Sequence, residues 1–110
     1  MTPAQGEVWW AAPNPAVGRE QRGRRPVVII SGQDFHEVVT PLVIVLPVTT
    51  RDRGWVSHVE LLGPHGLDRP SWAMTEQVRA VSRDRLERRT GTVDAQALSE
   101  MLRWVTDHLR

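Results

Sequence analysis

The chain has 110 residues with 40% apolar content, enough for a single compact domain spanning residues 1–110 with a modest core. Its formal net charge is only +1, so it is not a polycation that binds nucleic acid by bulk charge, and the absence of Cys excludes disulfides, thiolate nucleophiles and zinc–thiolate sites. No apolar run approaches bilayer length and no apolar leader opens the chain, so a soluble, cytoplasmic protein is expected.

Taken in order, Gly6–Ala11 reads as a short first strand, ended by Pro13-Asn14-Pro15. A long loop follows to Gly23. Pro26 precedes a β-branched run, Val27–Ile30, which predicts a central strand. Asp34–Val38 predicts one helical turn. Leu42–Leu46 predicts a second wholly apolar strand, closed by Pro47, and strands of this kind are buried on both faces. After the polar loop Thr49–Gly54, the weakly alternating Val56–Leu62 predicts a half-exposed strand. A turn-rich loop, Gly63–Pro70, leads to strands at Ser71–Val78 and Thr90–Val93. Asp94 is placed to cap a terminal helix whose stripe is Leu98, Met101, Leu102, Val105 and Leu109. Strands followed by one helix predict an α+β fold: a small, strongly curved antiparallel β-barrel with a C-terminal helix packed on it.

Charge is concentrated where the net value hides it. All 14 basic residues are Arg, and residues 19–25 hold four of them (Arg19, Arg22, Arg24, Arg25) against the single carboxylate Glu20. Arg offers a planar fork that matches phosphate, so a cationic loop fixed by the strand after it suits a phosphate group. A second cluster, Arg79 to Arg89, is read mainly as a solvated face through Arg83, Arg85 and Arg88. The four His (36, 58, 65, 108) have no metal-site spacing and are read as structural or exposed, and no D-x-D cluster suggests a bound magnesium. No cofactor is expected. Of the five Trp, Trp9, Trp10 and Trp72 fall on strands and are read as core or interface. Trp55, just past the basic loop, is the best candidate to stack on a base, with a packing anchor as the plain alternative. Gln77 and Arg79 either line a groove or solvate a strand end.

Several ordered pieces resemble the MazF/PemK family of toxin endoribonucleases. They are Gly6-Glu7-Val8-Trp9, then Gly18-x-Glu20-Gln21-x-Gly23-x-Arg25-Pro26 with Val27–Ser31, then Val45-Leu46-Pro47-Val48-Thr49-Thr50, and Glu76-Gln77-Val78-Arg79 with the terminal helix. The resemblance implies an SH3-like barrel of CcdB/PemK type, a homodimer, and metal-independent cutting of single-stranded RNA through its own 2′-hydroxyl. It implies that Arg25 and Thr49 carry the chemistry and that Glu20 is the family's loop glutamate, a candidate base or an ion-pair partner of its neighbours. It implies RNA contacts from the basic loop (Arg19, Gln21, Arg22, Arg24), from Thr50, Arg51, Arg53 and Trp55, and from Gln77 and Arg79. It further implies a MazE-like antitoxin whose disordered acidic tail folds over the Arg-rich loop. Arg19 departs from the pattern, standing where a small residue is usual. Two other readings stay open: a CcdB-like gyrase poison, against which the Thr106–Arg110 ending and the intact Arg-Pro loop argue, and a non-catalytic binding barrel on the same scaffold.

Overall fold

A computed structural model describes residues 2–13 and 23–110. Among these residues the order is β1 (Glu7–Ala11), β2 (Arg25–Ile29), α1 (Gln33–Val38), β3 (Leu42–Thr49), β4 (His58–Glu60), β5 (Trp72–Met74), a 3₁₀ turn (Thr75–Gln77), β6 (Arg79–Ser82), a second 3₁₀ turn (Arg83–Arg85), β7 (Leu86–Thr92) and α2 (Ala95–His108). No helix among them is long and apolar enough to cross a membrane.

The strands form one antiparallel sheet in the order β4-β5-β3-β2-β1-β7, with β6 also paired to β3. The apolar runs of β2 and β3 are explained by burial on both faces. Val28, Leu46 and Val48 enter one core with Val8 and Val59, while Val27, Ile29, Val43 and Val45 enter another with Trp9 and Val81. Alternate residues leave a strand on opposite sides, so a strand serving two cores can spare no polar position.

Helix α2 covers the first core. The Asp94 carboxylate accepts the Ala97 N–H at 2.9 Å, the predicted N-cap. Ala97 and Met101 are buried, with Leu98, Leu102, Trp104 and Val105 packed beside them. Burial of Met101 alone contributes roughly 1.5–3 kcal/mol. Leu109, the last residue of the predicted stripe, is exposed, standing at the C-cap just after the helix ends at His108.

Three expectations need correcting. Pro47 does not close β3, which runs on to Thr49. The Ile44 carbonyl turns towards β2, accepting from Ile30 N–H, so alternation turns the Pro47 nitrogen to the opposite edge. There β6 pairs with Leu42–Val45 and β5 with Val48–Thr49, and Pro47 falls in the gap between them, where no ladder donor is required. The same change of partner breaks the predicted Ser71–Val78 strand. The 3₁₀ turn steps from β5 to β6 across that gap, pinned by the buried Thr75 hydroxyl, which donates to the Ser57 carbonyl at 2.7 Å. Finally, Arg83 and Arg85 are not a solvated face. The Arg83 guanidinium donates to the His36 carbonyl at 2.7 Å and Arg85 Nε to the Ala12 carbonyl at 2.9 Å.

The sheet is curved as predicted but does not close through a ladder. A seam of loop contacts joins its ends instead. Thr92 N–H donates to the Pro64 carbonyl (3.1 Å), Asp94 N–H to the Leu62 carbonyl (2.8 Å) and the Thr90 hydroxyl to the His65 carbonyl (2.7 Å). The backbones approach so closely that a Cβ on Gly91 would lie 2.1 Å from the Pro64 oxygen, and one on Gly66 2.0 Å from the Thr90 oxygen. Replacing Gly91 or Gly66 by Ala is therefore expected to destabilise the fold by about 1–3 kcal/mol or more, measured by urea denaturation. Gly32→Ala, which meets nothing closer than 3.9 Å, serves as the near-neutral control.

Helix α1 is tied down by a buried pair, Ser31 Oγ and His36 Nε2 at 2.6 Å. Burial, reinforced by the Arg83 charge, holds the His36 pKa below its ordinary value. The unfolded chain then binds the proton more readily than the folded one. Stability from this site is complete above about pH 6.5 and falls as the pH drops through that value. Denaturation midpoints at pH 7.5 and 5.5 should differ for the native chain, and by less in His36→Gln.

Candidate nucleic-acid interface

The second core opens at one end into a groove of about 550 Å³. Its floor is apolar, with Val27, Val45 and Pro47, and its lining includes Arg25, Arg79, Arg85 and Gln77 but, among the described residues, no carboxylate. Three guanidiniums over an apolar floor, with low-dielectric walls, make a site for a polyanion carrying flat apolar groups.

Each polar lining residue is placed by its strand. Arg25 opens β2 opposite Ala11 of β1 and is exposed. Arg79 opens β6 opposite Val45, and Gln77 ends the 3₁₀ turn that carries the chain there. Arg85 reaches the groove from the second 3₁₀ turn while holding the Ala12 carbonyl.

Thr49 and Arg25 share a face of the sheet. The β2–β3 ladder ends at the pair Val27 and Pro47. Arg25 and Thr49 each lie two residues beyond that pair, so strand alternation puts both on the face of Val27 and Pro47. The Thr49 hydroxyl oxygen accepts the Arg51 N–H at 3.1 Å, which fixes the side chain and leaves its own proton to be donated elsewhere.

Beyond Thr49 the face continues onto β5, where Trp72 pairs with Thr49. Trp72, read as core or interface, is half-buried and belongs to neither core. Met74, one step along β5, lines the groove and pairs with His58 of β4. His58 is buried and donates from Nε2 to Glu76 at 3.0 Å. Burial pushes the Glu76 carboxyl up, but hydrogen bonds from His58 and from the backbone outweigh it, and its pKa lies below the ordinary carboxylate value. Trp55 packs at a tilt against His58, ring centroids 4.8 Å apart, and keeps half its surface exposed with the Arg53 guanidinium 5.7 Å above it. Thr50 and Arg51 are exposed on the adjoining turn.

Not every candidate joins this face. Arg24 points to the other side of the sheet, where it pairs with Glu87 beside Trp10 and Arg88. Arg19, Glu20, Gln21 and Arg22 lie outside the described residues. Arg85, Met74 and Trp72 were missed. The signal for Met74 and Trp72 was strand alternation read jointly across β3 and β5, which needs the pairing and not only the pattern, whereas Arg85 lies on a 3₁₀ turn where no such signal exists.

Comparison with known proteins agrees with this architecture. The chain is 30% identical over 104 residues to the endoribonuclease EndoA of Bacillus subtilis, covering 92% of this chain and 89% of that protein. It is 32% identical to the endoribonuclease PemK of Escherichia coli, covering 88% and 77%. The fold superposes on MazF in a MazE–MazF crystal structure from Deinococcus radiodurans with a TM-score of 0.83 and 28% identity, covering 99% and 96% of the two chains. Residues 4–109 match the family described as PemK-like, MazF-like toxin of type II toxin–antitoxin systems, and the chain belongs to that family.

Proposed function

We propose that this protein is the toxin of a type II toxin–antitoxin pair: a cytoplasmic endoribonuclease, working as a homodimer, that cuts single-stranded RNA at short sequences and thereby stops translation and growth. The observation that carries the reading is a groove lined by Arg25, Arg79 and Arg85 and free of carboxylates among the described residues; strand alternation puts Thr49 on the same face of the sheet as Arg25. Two relatives named as endoribonucleases support it. The antitoxin partner is supported by the MazE–MazF complex to which the fold is similar, and the acidic, disordered tail assigned to it fits the charge of the groove.

The chemistry follows from the side chains. RNA cleavage by its own 2′-hydroxyl forms a bond from O2′ to phosphorus and breaks the bond to the 5′-oxygen, giving a 2′,3′-cyclic phosphate and a 5′-hydroxyl end. Negative charge builds on the non-bridging oxygens on the way. The Arg25 fork can hold two of these oxygens at once. The Thr49 hydroxyl, already accepting from Arg51 N–H, is free to donate to the phosphate as that charge develops. Neither group removes the 2′-proton well, since a guanidinium with a pKa above roughly 12 is a poor base. Glu20 is the carboxylate assigned to that step or to orienting Arg25. The proton taken from O2′ is returned to the 5′-oxygen as its bond to phosphorus breaks, so the step balances and no cofactor or metal is required. RNA contacts are assigned to Gln77, Arg79, Trp55, Arg53, Arg51 and Thr50, and to Arg19, Gln21 and Arg22 of the loop.

Purified protein, freed of any antitoxin, should cut a long single-stranded RNA in EDTA at discrete sites and leave 2′,3′-cyclic ends. Random or absent cleavage by folded protein would overturn the reading in favour of a gyrase poison or a binding module. Arg25→Ala and Thr49→Ala should each lower the rate on the order of 100- to 1000-fold with melting temperature preserved, because both residues are outside the two cores. For Glu20→Gln, a rate near that of the native chain removes the base role, and a large loss with unchanged RNA affinity supports it.

A further inference from the structure

We propose that Trp72 and Glu60 form a base-recognition subsite next to the reacting phosphate, the indole stacking on a nucleobase and the carboxylate accepting hydrogen bonds from that base's N–H groups. The proposal rests on the RNA-cleaving role above and assigns part of its sequence preference.

The argument starts from register. Thr49 pairs with Trp72, and Trp72 pairs with Glu60. Paired residues in an antiparallel sheet project from the same face. The residues between them settle which face it is: Val48, Ala73 and Val59 are buried in the first core at 5%, 0% and 4% exposure. Thr49, Trp72 and Glu60 therefore stand on the opposite, solvent side, on three neighbouring strands. Arg25 of β2 lies on the same face by alternation from Val27, so across the sheet the order is cation, hydroxyl, aromatic ring, carboxylate.

The spacing suits a nucleotide. Adjacent strands lie about 4.8 Å apart. A phosphate held between Arg25 and Thr49 has the indole one strand away and the carboxylate two strands away, which a nucleotide spans from its phosphate to the outer edge of its base. The half-buried Trp72 keeps a face to offer, whereas Trp9 is sealed in the second core. The exposed Glu60 carboxylate repels phosphate, so the RNA backbone runs over the arginines and the base edge turns towards Glu60.

An ionised carboxylate accepts and never donates. It suits bases with amino groups, and guanine most of all, whose N1–H and N2 amino group donate side by side to its two oxygens. Uracil presents one N–H flanked by two carbonyl oxygens and is disfavoured. The inferred subsite thus selects guanine, accepts adenine or cytosine, and rejects uracil.

The test maps the cleavage sites of a degenerate single-stranded RNA pool cut by the native chain, Glu60→Gln, Trp72→Leu and Trp72→Phe. The native chain should show an amino-bearing base at one position beside the cut and depletion of uracil there. Glu60→Gln should relax the preference at that position alone by about 10-fold. Trp72→Leu should raise KM by about 10-fold with a smaller change in kcat, and Trp72→Phe, which keeps an aromatic face, should restore KM. A preference unchanged at every position in Glu60→Gln overturns the carboxylate's role. A KM within twofold of native in Trp72→Leu overturns the stacking role. A native chain that does not cut at all overturns the endoribonuclease reading itself, a result distinct from both.

Discussion

One strand serves three others, and the rest of the molecule follows from that. β3 pairs along one edge with β2 and along the other with β6 and then β5, while its side chains feed two cores. Its sequence meets all these demands at once. The apolar residues satisfy both faces, and Pro47 sits at the gap in one edge where its missing N–H does no harm. Because β3 changes partner there, the chain must step from β5 to β6, and the turn that makes the step carries Gln77 to the groove wall. The site is thus a product of the partner change: the gap beside Pro47 leaves the opening, and Arg25, Arg79 and Arg85 are among the residues that line it.

Much of the fold was legible because local chemistry and global packing agree. The β-branched runs of β2 and β3, the Asp94 cap and the α2 stripe each had a single physical reading. What stayed hidden depended on pairing. Arg79–Ser82 is a poor strand by composition, with one apolar residue fully buried, and it becomes β6 only because β3 offers it an edge. Arg83 and Arg85 look like solvent-facing charges, but long side chains can reach backbone carbonyls that no sequence pattern reveals. For the site, the basic loop before Pro26 and the Thr after Pro47 were visible as residue types, whereas the face that Arg25 and Thr49 share follows only from the pairing of Val27 with Pro47.

The groove divides labour between rigid and adaptable parts. Arg25 and Thr49 sit on strands whose neighbours are fully buried, so their positions are fixed by the core. Trp55, Arg51 and Arg53 lie on an exposed turn that touches the body through His58. Chemistry that needs a fixed phosphate is on the rigid side, and contacts able to differ between substrates are on the loop side. Between them, the Thr75 hydroxyl gives its only proton to the Ser57 carbonyl, so its 3.0 Å contact with His108 requires a proton on His108 Nε2. The last turn of α2 is thereby tied to the loop that holds Trp55.

The seam between Pro64 and Thr92 has a colloidal consequence. A curved sheet left open would offer two bare strand edges, and bare edges template the stacking of one copy on the next. Here the β4 edge is short, the backbone beyond it is engaged with the end of β7, and β7 carries Glu87, Arg88 and Arg89 exposed along its length. Glycines that let two backbones touch thus also keep this sheet from growing into a fibre.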